Sequence, residues 1–229
     1  MSEPLKIVLP HGGYRKLTVY DKSETIYQAT VVFCRRFLPA HGDRTVDQLT
    51  QAARSCKQNI AEGSAASGTS KETEIKLTNV ARATLDELEE DYLDRLKADG
   101  LEPWPMTDKR AVAAKRYGRE HADWAYWKPI FESRPKDVFC NLMITLINQT
   151  KKLLDGMIVR QEEDFKKFGG VRERMHAART AARGESWDKG IYSRLDAATT
   201  LADLDARADE IRRKITRAVS SIKRRKDWA

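Results

Sequence analysis

Apolar residues recur along this chain at steps of three and four, the period of a helix buried along one side. Ile26, Thr30, Phe33 and Phe37 form the first stripe, which Asp21 or Ser23 can cap and Pro39 stops. Val46, Leu49, Ala53, Cys56 and Ile60 form a second, beginning near Thr45. Gly63 follows it as the natural C′ residue, able to take the left-handed conformation that ends a helix. A third stripe starts from a capping box, Thr69-x-x-Glu72, and continues through Ile75, Thr78, Leu85, Leu88 and Tyr92, with Ala81 filling the gap. Gly100 and the pair Pro103 and Pro105 close it. Pro135 opens the fourth, as proline favours a first turn. Phe139, Leu142, Leu146, Leu153 and Met157 supply its stripe, with Gln149 or Thr150 between, and Gly169-Gly170 ends it.

Two regions fall outside these four rods. Leu101 to Arg134 is an aromatic-rich insertion holding Trp104, Trp124, Trp127, Tyr117, Tyr126 and Phe131, within which DKRAVAAKRYGREH predicts a short helix. From Val171, VRERMHAARTAARGE predicts one further helix and LADLDARADEIRRKITRAVSSIKRRK another. The second carries a heptad-like seam of Leu201, Leu204, Ala208, Ile211, Ile215, Val219 and Ile222. The pattern therefore predicts an all-α chain: an N-terminal arm over 1–20, a four-helix bundle over 21–169 with its insertion at 101–134, and a helical suffix over 170–229.

Composition agrees with this reading. Hydrophobic residues make up 41% and charged residues 33%, which suits helices with wide solvated faces, and 12 Gly with 7 Pro are too few for an all-β fold with many turns. No run of 18 apolar residues predicts a membrane span, and MSEPLKIVLPHGG lacks the apolar centre of a signal peptide. Cys34, Cys56 and Cys140 form no CxxC, and Cys56 and Cys140 fall on apolar stripes. The expectation is buried, reduced thiols in a cytoplasmic protein, where the sequon at Asn148 has no meaning.

Charge narrows the partners. The formal net charge is +8, and Arg212 to Ala229 holds eight Lys/Arg against one Asp, so +7 lies in that tail and about +1 in the rest. Arg212, Arg213, Lys214, Arg217, Lys223, Arg224, Arg225 and Lys226 have the composition of a phosphate-backbone contact. The alternative is a solvated or acid-paired helix face, because the apolar seam predicts that one side is buried. Residues 84–99 hold seven acids and two bases, net −5, a ready counterpart for such a tail in the same chain or a neighbouring one.

Reactive constellations are missing from the sequence. His11, His41, His121 and His176 stand at no metal-ligand spacing, no Glu-x-x-His pair of a di-iron bundle occurs, and no serine sits in GxSxG. No catalytic, cofactor-binding or metal-binding residue is assigned. The stretch QNIAEGSAASGTSKETEIKL remains. Its loop, Ser64 to Ser70, presents hydroxyls and amides at a helix start but lacks GKS or GKT, so it reads as a hinge or as an anion site. Glu62 falls in a last helical turn, where the helix dipole disfavours a carboxylate. A structural clamp on the hairpin accounts for it; a functional carboxylate beside Asn59 is the alternative. Ala52, Ala53, Ala61, Ala81 and Ala83 allow close helix approach or subunit packing.

This hairpin resembles that of the bacterial four-helix-bundle proteins encoded in intervening sequences of large-subunit ribosomal RNA genes. The matching residues are Asn-Ile-Ala-Glu-Gly at Asn59 to Gly63, Lys71-Glu72, and Leu-x-Glu-Leu at Leu85 to Leu88. HGGYRKL near the start and GGVRERM, Gly169 to Met175, resemble the subgroup with a C-terminal suffix domain. The resemblance implies an antiparallel up-down four-helix bundle and a ring-shaped homopentamer. It is similar also to the basic pentameric accessory protein of diversity-generating retroelements, which implies nucleic acid and a reverse transcriptase as partners. The family has no established catalytic residues, and none is carried over. Here the bundle is nearly neutral, so suspicion falls on the tail. The expected protein is non-enzymatic and self-associating, a scaffold or nucleic-acid-associated accessory. The hairpin is its structural motif: Gly63 ends one helix, Thr69 and Glu72 start the next, and Glu62 ties them.

Overall fold

A computed structural model describes residues 7–8, 11–38, 44–196 and 209–214, with side chains described up to 183 and again over 209–214. Among the described residues there are seven α-helices and no strand: α1 (Thr18–Phe37), α2 (Arg44–Ala66), α3 (Lys71–Ala98), α4 (Lys109–Glu120), α5 (Trp124–Ser133), α6 (Lys136–Phe168) and α7 (Val171–Asp196). A 3-10 turn, Tyr14–Lys16, precedes α1. No described helix is long and apolar enough to cross a membrane. The chain divides into two compact units, Met1–Met175 and His176–Ala229.

In the first unit α1 packs on α2, α2 on α3, α3 on α6, and α6 back on α1. The four predicted stripes line the enclosed core. Ile26, Phe33, Leu49, Ala53, Cys56, Leu85, Leu88, Tyr92, Phe139, Cys140 and Leu146 are buried there. Three stripe positions are threonines, and each hydroxyl returns to its own helix. Thr30 donates to the Ile26 carbonyl at 2.9 Å, Thr78 to Glu74 at 2.9 Å and Thr150 to Leu146 at 2.8 Å. A β-branched residue thus fills an apolar position without leaving a polar atom unpaired.

The insertion adds to this core. The expected helix is α4, which packs on α6; α5, which the sequence reading left unassigned, packs on α1. Trp127 and Phe131 of α5 are buried, and the Trp127 indole donates to the His121 carbonyl at 2.9 Å. Asn141 of α6 accepts the Trp104 backbone amide at 2.7 Å, and Arg36 of α1 donates to the Phe131 carbonyl.

Local chemistry corrects several expected boundaries. α1 begins at Thr18, before Asp21, and Ser23 is a buried interior residue whose hydroxyl donates to the Tyr20 carbonyl. On α6 the buried leucine is Leu154, and Leu153 is 40% exposed. Pro135 sits at the N-cap rather than inside the first turn. α2 runs through Gly63 to Ala66, and Gly63 is not among the glycines of positive φ. Its lack of a side chain serves packing instead. A Cβ there would stand 3.4 Å from the Glu74 carbonyl oxygen and 3.4 Å from the Leu77 Cβ, so α2 and α3 are in close approach at this point. Glycines of positive φ close α3 and α6 instead: Gly100, φ +69°, where Leu101 donates to the Leu96 carbonyl and Gly100 to Lys97, and Gly169, φ +64°, which donates to the Phe165 carbonyl.

The start of α3 is also displaced by one residue. Ser70, not Thr69, is the N-cap: its Oγ accepts the Thr73 amide at 3.1 Å and lies 2.8 Å from the Thr73 hydroxyl. Thr69 donates to the Ala66 carbonyl at the end of α2, and Glu72 is exposed and paired with Lys76 at 2.6 Å. Replacing Ser70 by Ala is therefore expected to cost about 1 kcal/mol of unfolding free energy in urea, whereas Thr69→Ala changes it by less than about 0.5 kcal/mol. The opposite order would restore the Thr69 cap.

Candidate nucleic-acid interface

The seat of α4 is built from polar groups buried between helices. Lys22 of α1 is 3% exposed, donates to the Gly118 carbonyl of α4, and donates to Gln149 Oε1 of α6 at 3.0 Å. The same Gln149 amide donates to the Lys115 carbonyl at 2.8 Å. Gly118 leaves room for this arrangement: a Cβ there would fall 2.5 Å from Gln149 Oε1 and push the amide aside. Thr25 of α1 donates to the Ala122 carbonyl at 2.7 Å, holding the segment that follows α4. Among the described residues Lys22 has no carboxylate within ion-pair distance. Burial among neutral acceptors disfavours its charged form and brings the ammonium down to about 8 from an ordinary 10.5.

With Ala111, Ala114 and Gly118 turned inward, the opposite side of α4 presents Lys109, Val112, Arg116 and Arg119 at steps of three, four and three. All four are exposed, and Lys109, Arg116 and Arg119 have no carboxylate partner among the described residues. Arg110 differs: it pairs with Asp108 at 2.8 Å, holds that carboxyl below its usual range, and lies 4.6 Å over the Trp104 ring. Beside the end of α4 stands a short aromatic ladder. The Tyr117 and His121 rings are 4.4 Å apart, and His121 stacks on Tyr126 at 4.3 Å with 27° between planes. Tyr126 is 52% exposed.

Some acids of α3 are engaged within the chain, while Glu87, Glu90 and Asp91 have no ion pair among the described residues. Lys151 of α6 reaches both Asp86 and Glu89, Arg82 bridges Asp86 and Asp155, and Lys136 meets Asp99 at 2.7 Å. Burial pulls the Lys151 ammonium down, but the hydrogen bonds it donates to the two carboxylates more than offset it, and its pKa ends above the ordinary value. Asp91 is raised by burial, against the pull of Arg95 and with the push of Asp94 and Glu87.

The residues named from sequence are scattered. Arg212, Arg213 and Lys214 are exposed on a helical stretch of the second unit, where Arg212 meets Asp209 at 3.5 Å and Lys214 meets Glu210 at 2.6 Å. Ile211, expected on a buried seam, is 57% exposed. Arg217, Lys223, Arg224, Arg225 and Lys226 lie outside the described residues, as do Leu201, Leu204, Ala208, Ile215, Val219, Ile222, Pro39 and His41. Asn59 donates within its own helix to Ser55 Oγ at 3.1 Å. Glu62 is exposed, one turn before the end of α2, and has no hydrogen bond or ion pair among the described residues. It does not tie the hairpin. Buried polar groups that the sequence reading passed over join α3 to α6 near the hairpin. Glu74 is 7% exposed, pairs with Lys71 at 2.7 Å, and accepts from Gln161 Nε2 at 3.3 Å, while Gln161 also reaches the Thr78 hydroxyl at 3.1 Å. Gln161 Oε1 is left without a partner.

Around the loop, Ser67 donates to the Ser64 carbonyl, Gly12 donates to the same carbonyl at 3.0 Å, and Arg174 donates to the Ile7 and Gly68 carbonyls. The loop's own groups thus serve to hold neighbouring segments. Cys34, Cys56 and Cys140 are buried, and burial pushes the Cys56 and Cys140 thiols up to about 12. Among the described residues no group of three His, Cys, Asp or Glu gathers as a metal ion would need. Comparison with family models, with curated proteins and with solved structures finds no match.

The Lys22 anchor carries a signed pH dependence. Its folded pKa lies below its unfolded one, so between pH 8 and 10.5 the unfolded chain holds more protons, and stability is gained as pH rises through that window. Lys22→Met abolishes this contribution. The unfolding free energy of the wild type minus that of Lys22→Met, from urea titrations at each pH, is expected to rise from pH 8 to pH 10.5. A flat difference would mean that the buried ammonium is not strained.

Proposed function

We propose that this chain is a non-enzymatic, self-associating helical-bundle protein that acts as a nucleic-acid-associated accessory or scaffold. α1, α2, α3 and α6 form its antiparallel up-down four-helix bundle. The closed cycle of their contacts supports that arrangement, as do the short links between α1 and α2 and between α2 and α3. The hairpin of α2 and α3 is then the structural motif of the intervening-sequence family, and by that resemblance the assembly is a homopentamer in the bacterial cytoplasm. A reverse transcriptase is the protein partner the same resemblance suggests.

One observation carries the nucleic-acid reading: Lys109, Arg116 and Arg119 stand on one exposed face of α4 without carboxylate partners among the described residues. Of the carboxylates of α3, Asp86 and Glu89 are paired with Lys151 of α6, and Glu87 and Glu90 stay exposed. Excess positive charge with no internal partner attracts polyanions and releases their counterions. A tail that neutralises α3 would find Asp86 and Glu89 already held by Lys151, with Glu87, Glu90 and Asp91 left for it. The hairpin loop is a weaker candidate for an anion, since the Ser70 and Thr73 hydroxyls bond each other. Thiols pushed to about 12 are poor nucleophiles, which supports the non-enzymatic reading.

The test is binding of labelled DNA and RNA oligonucleotides to the full chain, followed by fluorescence anisotropy over a range of salt. Affinity should fall with salt, and if all eight tail cations touch duplex phosphates the log–log slope approaches about −7. Removing 212–229 should flatten that slope and leave the oligomer mass in light scattering unchanged. Undetectable or salt-insensitive binding to both DNA and RNA ends this reading. A fall in mass on removing the tail would favour the purely structural oligomer.

A further inference from the structure

We infer that the end of α4 and the start of α5 form a platform for single-stranded nucleic acid, with a base stacked on Tyr126 and phosphates held by Arg116 and Arg119. The inference rests on the nucleic-acid reading above, but assigns the contact to the insertion rather than to the tail.

Tyr126 sits at the open end of the aromatic ladder. His121 stacks on one face of its ring, Tyr117 lies beyond His121, and Tyr117 Oη donates to the Tyr126 carbonyl at 3.2 Å. Behind them Trp127 is buried and meets Tyr117 edge-on at 5.0 Å. The ladder is therefore fixed from within, and about half of the Tyr126 surface is left to solvent. An aromatic ring already ordered by a neighbour stacks a base at little further entropic cost, and every base offers a face for it.

The segment that carries this ring is rich in positive charge. Residues 108–128 hold six Lys/Arg and three Asp/Glu, net +3. Two of the three acids are occupied: Asp108 by Arg110, and Asp123 by the Ala125 amide, which it caps at 2.7 Å. Glu120 is the third, exposed at the last position of α4. Arg119 stands two residues before His121, exposed and without a carboxylate among the described residues. Along α4, Arg116 and Arg119 are separated by about 4.5 Å of axial rise, a spacing that suits successive phosphates of a flexible strand. A duplex keeps its bases stacked inside and offers none to Tyr126, so the ring discriminates single strands.

The experiment uses the full chain, a labelled oligo-dT and oligo-U, and a duplex of the same length, by anisotropy at fixed salt. Tyr126→Ala is expected to weaken single-strand binding about tenfold and to leave duplex binding unchanged. Arg116→Glu with Arg119→Glu should weaken both, and circular dichroism melting should confirm that each variant is folded. Tyr126→Phe, which keeps the ring, should bind as wild type. If the wild type binds single strands and the Tyr126→Ala and charge-reversal variants bind equally well, the platform is refuted while the nucleic-acid reading stands on the tail. If the wild type binds no nucleic acid, both are refuted.

Discussion

An aromatic junction links the parts of the first unit. Phe139 of α6 stands 4.4 Å from Phe131 of α5 and 5.4 Å from Phe33 of α1, and Phe33 meets Tyr92 of α3 at 5.1 Å. Four helices from distant parts of the chain thus share one cluster of rings. The Tyr92 hydroxyl is satisfied within it by Thr30 at 3.1 Å. An insertion that merely looped away from α1, α2, α3 and α6 would have its own small core or none. Here Trp127 and Phe131 join the core those helices share, and removing them would open a hole in it.

That shared core gives the insertion its rigidity, and the buried polar groups give it its position. Apolar packing tolerates rotation of a short helix by a fraction of a turn. Lys22, Gln149 and the Gly118 carbonyl do not, because a small slip would leave a buried ammonium without acceptors. The outward bases of α4 and the Tyr126 ring therefore point in defined directions, although they lie on the solvent side of a segment only about 30 residues long by chain order.

Much of this was legible in the sequence, and the misses have physical reasons. The stripes of α1, α2 and α3 are regular enough that Ile26, Phe33, Leu49, Cys56, Leu85 and Tyr92 could each be placed inward. On α6 a step-by-seven reading drifts from the true 3.6-residue turn, and by the fifth position it selects Leu153 over its buried neighbour. Ser/Ala/Gly-rich chain between α2 and α3 offers several hydroxyls at cap spacing, so sequence cannot tell Ser70 from Thr69. Gly63 has two possible uses, left-handed turn and close approach, and only the position of α3 decides between them. Lys22, Glu74 and Gln161 leave no periodic signal, and Gln149 stands on the α6 stripe only as a filler. Each has a partner on another helix far along the chain, and nothing short of the packed structure brings them together. The tail was visible as charge; the bare cations of α4 were not, because their number is ordinary and only the pairing of the other residues sets them apart.

The cysteines carry one more consequence. All three thiols are shut inside the first unit, two of them in protonated form far above neutral pH. A thiol-directed reagent has no target while the helices remain closed, so modification proceeds only as fast as the core breathes. The molecule thus holds its own stopwatch for opening, read by mass, with Cys56 timing the separation of α2 from its neighbours and Cys140 that of α6.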